Sequence, residues 1–211
     1  MRSKLYKMKI GLYFGTFNPI HVGHLVIANY MAEFTDLDKV WLVVSPHNPL
    51  KDKNTLLPDF HRLALVREAV YENTKLKACD VEFHLSKPSY TVTTLAYLIE
   101  QYPEHDFSLI MGEDNLRTLH KWYNHDVLLK NHKIYVYPRA LTIQEEQEVM
   151  TLSEQLTNNY SGHHNIIFCN DAPVMKVSAS FIRQAIKEGK DVRYLLTEPV
   201  HKYLDDMRFY K

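Results

Sequence analysis

Short apolar runs that show no alternation of face, each followed by a stretch with helical spacing, recur along this chain and restrict it to one broad class of fold. Residues 9–14, 40–44, 107–111, 134–137 and 166–168 are apolar at nearly every position. A strand with one wet face alternates apolar and polar side chains, whereas a strand apolar throughout is buried on both faces. Between these runs lie helical patterns. Residues 22–34 carry Leu25, Ala28, Met31 and Ala32 at helical spacing. Residues 60–71 follow Asp59, a candidate N-cap. Residues 91–101, 115–120, 126–130, 178–187 and 199–206 complete the set, and Gly189 supplies a stop signal after the stretch 178–187. Residues 76–83 read as one more strand. The alternation predicts an α/β chain with a doubly wound, Rossmann-like parallel sheet and a small C-terminal helical part at 178–211. Residues 1–211 read as a single domain, with 1–7 as an N-terminal extension. In such sheets ligands collect at the carboxyl ends of the strands, beside the point where strand order reverses. The places to search are therefore the positions after Phe14, Val44 and Met111, and the start of the stretch beginning at Ser178.

Composition narrows the function classes. Lys plus Arg is 25 and Asp plus Glu is 25, so the net charge is zero and binding of nucleic acid or a membrane surface through bulk positive charge is disfavoured. Two cysteines, Cys79 and Cys169, cannot form a disulfide framework or a four-cysteine zinc site, which fits a reduced, cytoplasmic compartment. No apolar run approaches the ~20 residues of a membrane span. The apolar stretch 10–14 is shorter than the ~7–15 residues of a signal-peptide core. Residues 140–164 are acidic and polar, and read as a solvated helix and a loop. Glycine is scarce, at 6, so each one is expected where the backbone demands it.

The densest local signal is GTFNPIHVGH, at 15–24. A buried strand ends at Gly15, and backbone amides of Gly15, Thr16 and Phe17 can cradle phosphate oxygens. The helix that follows adds partial positive charge at its start. His21 and His24 are three apart and share one face of a helical turn. Two imidazole donors beside freed amides suit phosphoryl or nucleotidyl transfer. A bland reading, two histidines capping a helix, would be preferred for an isolated His-x-x-His. Zinc is disfavoured because no further ligands follow at the required spacing. The glycine spacing does not match a dinucleotide-binding turn.

GTFNPIHVGH closely resembles the signature of the HxGH nucleotidyltransferase superfamily of adenylyl- and cytidylyltransferases. Within it the chain looks like the bacterial nicotinate-nucleotide adenylyltransferases. The resemblance runs from about residue 8 to 203, and further motifs arrive in the family's order. SPHNPLK follows the second strand. PSYT lies at 88–91, IMGEDNL at 110–116, HKWY at 120–123, VSASFIR at 177–183 and VRYLLTEPVHKYL at 192–204.

The resemblance implies a nucleotidyltransferase fold and the reaction of ATP with nicotinate mononucleotide, giving the dinucleotide and pyrophosphate, with Mg²⁺ accompanying ATP. It implies small-molecule partners, not nucleic acid or membrane, and leaves a homo-oligomer open. It carries His21, His24 and Arg183 into catalysis. It places Gly15, Thr16, Phe17, Gly112, Asp114, Ser180 and Phe181 around ATP, and Lys51, Tyr90, Thr91, Trp122 and Arg139 around the mononucleotide. The attacking phosphate monoester, with a second pKa of about 6, is largely dianionic at neutral pH and needs no general base. The chain departs from the family's usual pattern at Asn18, where aspartate is more common, in the short loop 46–51 and in the long stretch 141–164. Two alternatives stay open: another superfamily transferase, such as one acting on phosphopantetheine, and a nucleotide-binding regulator without turnover.

Overall fold

The computed structural model describes residues 7–46, 56–138, 160 and 162–211. The expectations for residues 1–6, most of the loop 46–51 and most of 140–164 fall outside that range. Six strands, β1 (Met8–Gly15), β2 (Lys39–Val44), β3 (Leu76–Cys79), β4 (His105–Gly112), β5 (Ile134–Tyr137) and β6 (Ile166–Phe168), form one sheet in the order β3-β2-β1-β4-β5-β6. Every pairing is parallel. The helices are α1 (Val22–Phe34), α2 (Asp59–Val70), α3 (Thr91–Gln101), α4 (Glu113–Thr118), α5 (His125–Asn131), α6 (Ala179–Lys187) and α7 (Glu198–Asp206).

The unbroken apolar runs have a direct cause in the packing. In β2, Val40, Leu42 and Val44 enter one core, while Trp41 and Val43 enter the other. Burial on both faces favours apolar residues at nearly every position, at a gain of ~1.5–3 kcal/mol for each large aliphatic side chain. The first core joins Met31 of α1, Leu65 and Val66 of α2, Ile182 of α6 and Leu204 of α7. The second joins Leu95 and Leu98 of α3, Leu116 of α4 and Leu128 of α5. The stretch from Ser178 onward thus shares the first core with the sheet.

Strand order reverses at β1. The chain moves outward through β2 and β3, then returns to the other edge of β1 as β4. The crevice between the carboxyl ends of β1 and β4 is therefore the switch point of the fold. At the opposite end of the sheet, Lys9, Lys133 and the Tyr135 hydroxyl converge on Asp36. Burial would raise that carboxyl's pKa, but the three donors outweigh it and hold the group well below the usual carboxylate range.

Two local expectations are corrected. The strand predicted over 76–83 ends at Cys79, and Val81–Phe83 forms a single 3₁₀ turn. As an edge strand β3 pairs with β2 alone, and Glu82 turns inward to a buried partner, Thr94. Asp59 is not the cap of α2 but its first residue. Pro58 occupies the cap position, and the Asp59 carboxylate pairs with Arg62 at 2.5 Å.

Candidate active site

After β1 the backbone turns sharply. Phe17 adopts a left-handed conformation with φ of 45°. Its ring folds back over Gly15, where a Cβ would lie 2.8 Å from Phe17 Cζ, so glycine is required for this close approach. Phe17 is fully buried, with its ring edge-on to Tyr13 and to His24 at centroid distances of 5.9 and 5.1 Å.

His21 caps α1 and His24 sits in its first turn. The two rings stack at 3.7 Å, and the His21 backbone N–H donates to His24 Nδ1 at 3.3 Å. An Nδ1 that accepts leaves the proton of a neutral imidazole on Nε2, so His24 offers an Nε2–H donor. His21 is 5% exposed, and burial pushes its pKa down to about 4, which makes it neutral near pH 7. Its Nδ1 is buried with no hydrogen-bond partner among the described residues. A bound oxygen would satisfy such an atom, since orphaned buried polar groups are costly.

A residue that sequence reasoning missed sets the loop's direction. Arg62 of α2 is fully enclosed, and its Nη1 donates to the carbonyls of Thr16 at 2.6 Å and Ser45 at 2.7 Å. Its Nε donates to the Leu57 carbonyl at 3.0 Å. The Ser45 N–H donates to the Gly15 carbonyl at 2.9 Å. In a trans peptide the carbonyl and the following amide point in opposite directions. Turning the Gly15 and Thr16 carbonyls toward Ser45 and Arg62 therefore turns the Thr16 and Phe17 amides away from them. This orientation supports the expected role of these amides as donors. The signal was present in the sequence: Arg62 shares an apolar helical stripe with Leu65 and Val66, where a charge demands a reason.

The late helix meets this turn directly. Ser178 caps α6, its Oγ accepting from the Phe181 N–H at 3.2 Å, and the Ser180 hydroxyl lies 3.0 Å from that of Ser178. Phe181 is largely exposed, while Arg183 reaches back so that its Nη1 donates to the Asn18 carbonyl at 2.8 Å. The Asn18 side chain is buried, and its Oδ1 accepts from the Leu57 N–H at 3.1 Å and from the Tyr210 hydroxyl at 2.7 Å. At this departure from the family pattern the side-chain oxygen thus bonds across to the lead-in of α2 and to the last turn of the described chain. Tyr210 was also missed, because nothing local in the sequence links it to a position 192 residues away.

At the end of β4, Gly112 is buried and holds the cap position of α4, and Asp114 is the second residue of that helix. A Cβ on Gly112 would meet Asp114 Oδ1 at 2.5 Å and Tyr137 Oη at 3.3 Å. The close approach at Gly112 is thus made by the chain's own carboxylate and phenol, and the Tyr137 hydroxyl lies 3.2 Å from that of Tyr13.

The remaining candidates form a second group. Tyr90 occupies the cap position of α3 and Thr91 is its first residue. Tyr90 packs against Tyr123 with ring centroids 4.7 Å apart, and both rings are exposed, at 45% and 57%. Trp122, adjacent in sequence, is only partly buried against the second core, not enclosed in a helix corner. Behind them Glu82 is buried with Thr94, whose Oγ1 lies 2.9 Å from Glu82 Oε1. Burial raises the Glu82 pKa, against hydrogen bonds from Ser45, Thr94 and Ser89 that lower it. That carboxyl, a third residue sequence reasoning missed, ties the exits of β2 and β3 to the first turn of α3. Lys51 and Arg139 lie outside the described residues.

Among the described residues, no group of three or more His, Cys, Asp or Glu side chains gathers to hold a metal ion. The converging groups are two imidazoles, backbone amides and a guanidinium, with no carboxylate of the described residues joining them, a set that suits anionic oxygens. Among the same residues no helix is long and apolar enough to cross a membrane.

A donor-lined switch point in an all-parallel sheet defines a nucleotidyltransferase-like site, and comparison with known proteins gives the same class. The family described as Cytidylyltransferase-like matches residues 12–185. A solved Plasmodium falciparum nicotinic acid mononucleotide adenylyltransferase complexed with NaAD shares the fold, with a TM-score of 0.74 and 16% identity over 96% of this chain and 97% of that one. Proteins named "Probable nicotinate-nucleotide adenylyltransferase" are 57% identical in Flavobacterium johnsoniae and 53% identical in Flavobacterium psychrophilum. Each alignment covers 97% of this chain and 100% of the relative. The chain belongs to the nicotinate-nucleotide adenylyltransferase family.

Proposed function

We propose that this chain transfers the adenylyl group of ATP to nicotinate mononucleotide, releasing pyrophosphate and forming nicotinate adenine dinucleotide for NAD biosynthesis. One observation carries the reading. The bond from Arg183 to the Asn18 carbonyl draws the guanidinium onto the turn that presents His21 and His24, so the three expected phosphate contacts share one corner of the molecule.

The chemistry needs donors more than proton transfer. The α-phosphorus of ATP is attacked by a phosphate oxygen that is already anionic, and charge accumulates on the transferring and leaving phosphates. In this reading His24 Nε2–H and the Thr16 and Phe17 amides donate to the α-phosphate, while Arg183 holds the leaving pyrophosphate. Fixed donors in a shielded site stabilise such charge without reorganising during reaction. Asp114 accepts from the adenosine ribose. Trp122 stacks on the pyridine ring, and the start of α3, at Tyr90 and Thr91, receives the nicotinate carboxylate. Lys51 and Arg139 are further proposed contacts to the mononucleotide. Mg²⁺ comes with ATP, held on phosphate oxygens and water, as is usual for this ion. The expected setting is the cytoplasm, with small molecules as the partners.

The test supplies ATP with nicotinate mononucleotide or nicotinamide mononucleotide and follows pyrophosphate. The expected result is release with a preference for the acid. No pyrophosphate with either substrate would end the proposal, and equal rates would remove the carboxylate assignment at α3.

A further inference from the structure

Beyond the residues that face the proposed substrates, the last turn of the described chain reaches into the phosphate corner. Arg208, just after α7, has φ of 52°, and Tyr210 has φ of 63°, both in the left-handed region that non-glycine residues enter at a cost. The reversal is held by the Phe209 N–H, which donates to the Leu204 carbonyl at 3.0 Å, and by the Phe209 ring, 4.7 Å from that of His61 on α2. His61 Nδ1 in turn lies 3.0 Å from the Tyr203 hydroxyl on α7. Contacts on both sides thus keep this turn against α2. The turn delivers the Tyr210 hydroxyl to Asn18 Oδ1 at 2.7 Å. The same asparagine, through its backbone carbonyl, carries Arg183.

We infer that Tyr210 is a positioning residue for the phosphate clamp: its hydroxyl fixes the Asn18 side chain, and so the carbonyl from which the Arg183 guanidinium is held. The inference rests on the proposed role of Arg183 at the ATP phosphates. Asn18 joins the two bonds, and its Oδ1 also accepts from the Leu57 N–H. Desolvation raises the Tyr210 pKa despite the nearby Arg183 and Arg62 cations, so the hydroxyl stays protonated and donates. Losing the hydroxyl leaves the ring seated but removes one of the bonds that hold Asn18 Oδ1. The carbonyl that holds Arg183 is then fixed less firmly, and ATP suffers where the mononucleotide does not.

The test is steady-state kinetics of the full chain with Tyr210→Phe, Arg183→Ala and the double variant, with thermal melting of each. Tyr210→Phe is expected to melt close to the parent chain, to raise the KM for ATP ~10-fold, as loss of about one hydrogen bond would, and to leave the KM for the mononucleotide unchanged. In the Arg183→Ala background it should add nothing. Asn18→Ala removes the acceptor from the other side and should give the same ATP-selective rise, which keeps the inference testable if Tyr210→Phe does not fold. An unchanged ATP KM in Tyr210→Phe, or equal rises for both substrates, overturns the positioning role while leaving the site intact. Full additivity with Arg183→Ala also overturns it. An Arg183→Ala variant with unimpaired activity overturns both this inference and the reading of the site on which it rests.

Discussion

The two halves of the candidate site are built on opposite principles. The phosphate half is closed and internally bonded: Phe17, Asn18 and His21 are all at most 5% exposed, and the carbonyls of Thr16, Ser45 and Asn18 are each gripped by an arginine. The ring half is open. Tyr90 and Tyr123 lean on each other with their rings tilted and largely open to solvent, and Trp122 is only partly covered. The difference follows from what each half must meet. Developing charge is stabilised by donors already fixed in place, because rigid dipoles avoid the cost of reorienting. A flat heteroaromatic ring is recognised by area and stacking, which tolerate small displacements. Rigidity is concentrated where electrostatics would use it.

The sharpest way to break this contrast is to remove the arginine that organises the closed half. Arg62→Met keeps much of the side chain's volume but removes the guanidinium that donates to the buried carbonyls of Thr16, Ser45 and Leu57, and leaves Asp59 with Lys87 at 3.8 Å. Leaving buried acceptors unsatisfied costs about 1–3 kcal/mol for each one that relaxation does not rescue, so a loss on the order of 3 kcal/mol is expected. Denaturant unfolding should show a loss of that size, with activity falling in the fraction that remains folded. A loss under about 1 kcal/mol would mean that the loop holds its direction without Arg62.

Next in size is His24→Ala. The ring is half-buried and sits at the edge of the core, so the melting temperature should move little. Turnover should fall by ~10²–10³, the range seen when one donor to developing charge is deleted. An unaltered rate would remove His24 from the chemistry and leave the closed half a structural feature only.

Much of this arrangement was legible in the sequence, and the parts that were not share a cause. Helices α1 and α3 and strands β5 and β6 stand at the predicted bounds, because periodicity and stop residues are local signals. The alternation of elements directed attention to the strand ends, while the reversal at β1 came from the strand order. What escaped was everything that depends on partners distant in sequence. Arg62 stands in an apolar stripe, but its partners, the carbonyls of Thr16 and Ser45, are set only when α2 docks. Glu82 reads as part of a strand until the buried Thr94 claims its carboxyl. Tyr210 has no local motif. Conversely, the two histidines were legible as candidate phosphate donors from their spacing after the first strand, and the family resemblance raised them and Arg183 above the bland reading. Chemically they are ordinary residues at helix starts, and geometry gives them their common corner.

The closed half also carries a pH signature of its own. His21 has a folded pKa near 4, against an ordinary value of about 6.5 in the unfolded chain, because burial disfavours the imidazolium. Above pH 6.5 both states leave it neutral, and it contributes no slope. Between pH 6.5 and 4 the unfolded chain binds a proton that the folded chain resists, so stability falls as pH falls, and below about pH 4 the loss is complete. The full loss is on the order of 3 kcal/mol. Unfolding measured from pH 7 to 4 should show this slope, reduced in His21→Asn. The same slope in both proteins would assign the loss to other groups.

The smallest expected effect tests the open half directly. Trp122 touches the second core with only part of its surface, so truncation to alanine removes stacking area without opening a cavity in the sheet. An aromatic pair is worth ~0.5–1.5 kcal/mol beyond the area it buries, so Trp122→Ala should raise the mononucleotide KM about tenfold. The ATP KM and turnover at saturation should change little, since the closed half is untouched. Trp122→Phe should recover most of the loss, because a ring of either kind can lie on a pyridinium. The asymmetry is what matters: substitutions in the closed half should act on turnover or on ATP, and this one on the mononucleotide alone. If Trp122→Ala instead raises the ATP KM selectively, the ring belongs to the nucleotide triphosphate side, and the division of the site into a rigid anionic half and an open aromatic half is drawn in the wrong place.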